Sequence, residues 1–102
     1  IEPALTRANL SAIIEELKAS GTNMLLAGMQ APPNMGREYE AEFNGIFADL
    51  ADQHDIPLYP FFLEGVAAIA ELNLNDGIHP NEAGVDVIVE RIAPLVEELL
   101  TR

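Results

Sequence analysis

Two short apolar runs separated by one amphipathic stretch constrain this chain more than any other feature. Asn23 to Met29 reads Met-Leu-Leu-Ala-Gly-Met in its apolar part, too short for a helix of its own and continuous enough for a strand covered on both faces. Ile56-Pro57-Leu58-Tyr59 is a second such run. Between them, Glu38 to His54 sets Tyr39, Phe43, Ile46, Phe47 and Leu50 on one helical stripe with charged residues between. Strand, helix, strand in that order is a βαβ unit, with parallel strands and a right-handed crossover.

The flanking segments extend this α/β pattern. From Thr6 to Ser20, Leu10, Ile13, Ile14 and Leu17 line a further helix, which Gly21 can end in a left-handed cap. Gln30 to Arg37 holds Pro32-Pro33-Asn34 and Gly36, which block helix and ladder alike and place a loop at the carboxyl end of the first strand. Open α/β sheets take their ligands at that edge. Phe61 to Leu72 is apolar and Ala-rich enough for a short irregular helix, and Asn73 to Asn81 is a loop. A last helix is expected from Glu82 to Leu100, with Val85, Ile88, Ile92, Leu95, Val96 and Leu99 on one side and a kink at Pro94. Two parallel strands and three helices make a poor independent core, because a buried strand needs cover on both faces and a neighbour on each edge. The expectation is half of a domain, or a chain that pairs with another.

Charge and composition narrow the function. With 5 basic against 17 acidic residues the formal net charge is -12 over 102 residues, which repels phosphate backbones and anionic lipid surfaces and argues against nucleic-acid or membrane partners. The chain has no Cys, so a disulfide framework, a thiolate metal site and a Cys nucleophile are excluded. No apolar run approaches ~18 residues and Ile1-Glu2-Pro3 opens no basic leader, so neither a signal peptide nor a membrane-crossing helix is expected. The start reads as internal to a longer chain.

Asp76-Gly77-Ile78-His79-Pro80-Asn81 is the informative segment. An Asp and a His three apart across a Gly-containing turn can let the carboxylate accept from one ring nitrogen, which fixes the tautomer and leaves the other nitrogen as a general base. Gly77 permits the turn, Pro80 stiffens the backbone after the His, and Asn81 is a favourable N-cap. The plainer reading is a loop in which Asp76 and Asn81 only cap backbone amides.

That hexapeptide, followed by Ala83-Gly84, resembles the last conserved block of the SGNH (GDSL-like) hydrolases, serine esterases with a flavodoxin-like sheet. Ile56 to Leu63, and Ala31 to Gly36 with Tyr39 and Phe43, are similar to the branch that holds bacterial arylesterases and enzymes of the lysophospholipase and thioesterase type. The resemblance covers essentially the whole chain. It implies that residues 1–102 form the carboxyl-terminal part of a single three-layer α/β/α domain with a parallel sheet. It further implies a Ser-His-Asp mechanism on a small acyl ester or thioester, with His79 as base, Asp76 as its orienting group, and no cofactor or metal. Pro32, Pro33, Asn34, Met35 and Gly36 would form a substrate-facing loop. Export to the periplasm or beyond is the expectation that such relatives suggest.

The family's Gly-Asp-Ser block and its oxyanion donors are absent from this sequence. Of the two serines, Ser11 lies roughly 110° from the centre of its helix stripe at ~100° per residue, and Ser20 falls at a helix C-terminus, the wrong end of the dipole for an alkoxide. Neither sits in a strand-to-helix elbow. Removing a triad nucleophile costs on the order of 10⁶ in turnover, so the chain alone is expected to be inactive, with a missing amino-terminal segment or another chain completing the sheet. The alternative is a non-catalytic α/β interaction module, or an inactive fragment, that pairs through its open sheet edge. His54 reads as a C-terminal helix residue favoured by the dipole rather than as a metal ligand with His79, and the carboxylate pairs Glu15/Glu16, Glu40/Asp49 and Glu97/Glu98 as solvated helix faces.

Overall fold

A computed structural model describes residues 1–102. Helix α1 spans Pro3–Ala19, three residues earlier than the apolar spacing alone marks. Pro3 occupies the first helical turn, where its missing amide has no intrahelical bond to lose. The helix closes as expected on Gly21, at φ +73°, with the Gly21 amide donating to the Lys18 carbonyl at 3.0 Å.

Strand β1 is Leu26–Ala27 and strand β2 is Leu58–Tyr59. They run parallel in the register Leu26 to Leu58 and Ala27 to Tyr59, joined by α2, Arg37–His54. The ladder is shorter than the apolar runs that encode it, because each strand has the other as its sole neighbour. Leu26, Ala27 and Leu58 are half-buried rather than enclosed on both faces. Helix α2 ends on Asp55, which takes the left-handed conformation at φ 53° and turns the chain into β2.

The core lies on one face of this small sheet. Ile14 of α1 meets Ile46, Phe47 and Leu50 of α2, with Leu10, Met24, Leu26, Phe43, Ile56 and Leu58 packed around them. Tyr39, Phe43 and Phe47 continue along α2 as an aromatic row, the first pair stacked at 6.0 Å and the second edge-on at 5.6 Å. Tyr59, Val66 and Ile88 are buried outside that cluster.

The segment 61–69 is a series of turns rather than the irregular helix the composition suggests, followed by a single 3₁₀ turn at Ala70–Leu72. Gly65 at φ +81° and Ala68 at φ 63° take left-handed backbone conformations that no α-helix can contain. Helix α3, Glu82–Leu100, packs against that 3₁₀ turn and runs continuously through Pro94. Its residues Val85, Val89, Val96 and Leu100 remain exposed. Only 13 of the 102 residues are buried, and the molecule is a slab of 42 × 35 × 16 Å. Its radius of gyration is 14.9 Å, against about 13 Å for a compact domain of this length, as an open sheet with uncovered apolar faces requires.

Candidate active site

The segment before α3 is built by backbone bonds that close a loop. Asn73 and Pro80 form an isolated antiparallel bridge. The Leu74 amide donates to the His79 carbonyl at 2.8 Å, and the Asn81 amide to the Leu72 carbonyl at 3.0 Å. Two asparagines lock the base of the loop. Asn73 Nδ2 donates to the carbonyls of Val66 and Ile69, and Asn81 Nδ2 to those of Glu71 and Asn73. Asn81 Oδ1 accepts from the Gly84 amide at 2.9 Å, the N-cap bond its position predicts. Gly84 itself lets the helix approach, since a Cβ there would lie 2.2 Å from the Leu72 carbonyl oxygen.

Within this frame Asp76 divides its carboxylate between two tasks. Oδ1 accepts from the amides of Ile78 at 2.9 Å and His79 at 3.0 Å, an Asx-type turn for which Gly77 supplies φ +70°. Oδ2 accepts from His79 Nδ1 at 2.5 Å. Ordinarily near 3.8, the Asp76 pKa is lowered to about 2, chiefly by the hydrogen bond from the imidazole and then by the amides of His79 and Ile78. The ring orientation is therefore set by a carboxylate that is itself fixed to the backbone. Nε2 makes no bond within the chain, and the His79 side chain is 71% exposed.

An apolar groove of about 410 Å³ adjoins this turn, lined by Met29, Pro33, Phe61, Leu63, Gly77 and Ile78 among others. A second, of about 420 Å³, holds Met35, Tyr39 and Phe43. Met29, Gln30, Ala31 and Pro32 line both and stand between them. In the loop read as substrate-facing, Pro33–Met35 form a 3₁₀ turn and Gly36 takes φ +92°. Pro32, Pro33 and Met35 line the grooves, whereas Asn34 and Gly36 line neither.

Neither serine hydrogen-bonds His79. Ser20 Oγ donates to the Glu16 and Leu17 carbonyls at the end of α1. Ser11 Oγ lies 3.2 Å from His54 Nε2, so His54, in the last turn of α2 as its sequence position implies, is also a buried link between α1 and α2. Spacing within one helix carries no sign of that link, whose partners are far apart in sequence. Asn44, whose Oδ1 accepts from the Ala31 amide at 2.7 Å, was hidden for the same reason.

Residues 1–87 match the GDSL-like Lipase/Acylhydrolase family. Esterase TesA of Pseudomonas aeruginosa is 37% identical over 98 residues, which cover 96% of this chain and 49% of that protein. Thioesterase 1/protease 1/lysophospholipase L1 of Escherichia coli is 34% identical over 99 residues, covering 97% of this chain and 48% of that protein. The crystal structure of AlinE4, an SGNH-hydrolase family esterase, aligns with a TM-score of 0.72 at 44% identity, over 98% of this chain and 53% of that one. The chain spans about half the length of the curated relatives it matches. Sequence match and shared fold agree with the parallel α/β architecture, and the chain belongs to the GDSL-like lipase/acylhydrolase family, the SGNH hydrolases.

Proposed function

We propose that these residues supply the general base and its orienting carboxylate to a serine hydrolase that cleaves carboxylic esters or thioesters. The observation that carries this reading is the fixed pair of Asp76 and His79, with Nδ1 held by Oδ2 and Nε2 left for substrate chemistry. In this reading the nucleophilic serine comes from a segment outside Ile1–Arg102 that completes the two-stranded sheet.

In this scheme Nε2 of His79 takes the proton from the serine hydroxyl as Oγ adds to the substrate carbonyl carbon. Asp76, ionised throughout the neutral range, stabilises the imidazolium. The imidazolium then protonates the departing alkoxide or thiolate as the acyl-enzyme forms. Water, deprotonated by Nε2, attacks the acyl-enzyme, and the serine regains its proton as the acid leaves. The step requires no cofactor. Arylesterase, lysophospholipase and thioesterase activities all belong to this reaction class, and the apolar groove beside the turn suits an acyl group.

The test is hydrolysis of p-nitrophenyl esters by the protein in which the serine-bearing segment accompanies these residues. His79→Ala lowers kcat by on the order of 10⁶. Full activity in that variant overturns the assignment of His79 as base.

A further inference from the structure

The polar tethers of the loop that follows β1 are few. At its root the Gly28 amide donates to the Tyr59 carbonyl and the Gly28 carbonyl accepts from the Phe62 amide. A Cβ on Gly28 would lie 2.2 Å from the Pro60 carbonyl oxygen, so the backbone crosses β2's continuation at close range there. From Met29 to Asn34 the amide of Ala31 makes the one hydrogen bond to another element, to Asn44 Oδ1 at 2.7 Å, while the Pro32 carbonyl accepts from the Met35 amide at 3.2 Å within the loop's own 3₁₀ turn. Pro32 and Pro33 have no amide to contribute. Ala31 is buried and lines both apolar grooves. Asn44 sits on α2 between Phe43, which packs on the core, and the core residue Ile46, so the tether is anchored on the helix that supplies most of the core cluster.

We infer that Asn44 is a positioning residue for acyl-chain selection. Its carboxamide holds Ala31 in place so that Met29 to Pro32 stand as a ridge between the two grooves, and the height of that ridge limits the acyl length each groove accepts. The substrate class rests on the esterase reading above; the tether itself does not. Without the acceptor the ridge moves, the grooves share volume, and discrimination among acyl lengths weakens. A net worth of about 1 kcal/mol for one neutral hydrogen bond corresponds to about fivefold in selectivity.

The experiment compares Asn44→Ala and Asn44→Asp with the parent sequence in the serine-containing protein. It measures kcat and KM for butanoate, octanoate and dodecanoate p-nitrophenyl esters, together with amide hydrogen exchange at Ala31. Asn44→Ala is expected to speed exchange at Ala31 and to flatten the ratio of best to worst kcat/KM about fivefold through KM, with kcat within about twofold. Asn44→Asp keeps an acceptor at the same place and retains both the slow exchange and the chain-length profile. The inference is overturned by unchanged exchange in Asn44→Ala, by a uniform fall in kcat with the profile intact, or by Asn44→Asp behaving as Asn44→Ala. If the parent sequence hydrolyses none of the esters, the esterase reading fails. Exchange at Ala31 then decides the tether alone, faster exchange in Asn44→Ala supporting it and unchanged exchange overturning it.

Discussion

Replacing Asp76 by Asn separates the two tasks of that carboxylate. In Asp76→Asn an Oδ1 acceptor remains for the amides of Ile78 and His79, which lie at 2.9 and 3.0 Å, so the turn keeps its shape. At the position of Oδ2, 2.5 Å from His79 Nδ1, an NH₂ group now donates where the carboxylate accepted. That donor selects the tautomer with the proton on Nε2, which has no lone pair to take the serine proton. A wrong tautomer in an otherwise intact Ser-His-Asp site costs about 10⁴ in kcat. The assay is p-nitrophenyl ester hydrolysis by the serine-containing protein, with circular dichroism to show that folding is unchanged. A kcat within tenfold of the parent protein, with the fold intact, excludes this role for Asp76.

Three further outcomes follow from the same coordinates. The Asp76 pKa is depressed from 3.8 to about 2, so the stabilisation from its bonds is fully present above 3.8 and is lost as pH falls through about 2; a carboxyl-carbon NMR titration places the midpoint near 2, and a midpoint at 3.8 contradicts it. Gly84→Ala forces a Cβ to within 2.2 Å of the Leu72 carbonyl oxygen and 3.1 Å of Val66 Cγ1, and destabilises the protein by about 1–3 kcal/mol in urea unfolding. Ser11→Ala removes the bond to His54, lowering stability by about 1 kcal/mol while leaving ester turnover unchanged, which steady-state kinetics and urea unfolding check together.

The elements with local causes were legible in the sequence. The apolar stripes of α1, α2 and α3 mark helices because side chains three and four apart share a face, and the Gly21 stop and Asn81 cap are local chemistry of the same kind. The parallel pairing of Leu26 with Leu58 follows from two short apolar runs on either side of one helix. The Ala-rich composition of segment 61–69 favours helix, whereas Gly65 and Ala68 take left-handed backbone conformations that break it into turns. Pro94 lies inside α3, whose helical span runs from Glu82 to Leu100 on both sides of it. In the loop before α3, the bond from His79 to Asp76 joins residues close in sequence and could be anticipated from spacing alone. The bonds from Ser11 to His54 and from Ala31 to Asn44 join different elements, and no window of sequence contains them.

In the proposed reaction His79 serves a serine lying outside these residues. Treating the serine-containing protein with a p-nitrophenyl alkylphosphonate and locating the phosphonyl group by peptide mass spectrometry tests it directly. One adduct is expected, on a serine outside Ile1–Arg102, and its formation is abolished in His79→Ala. An adduct on Ser11 or Ser20, or labelling that proceeds unchanged without His79, contradicts it.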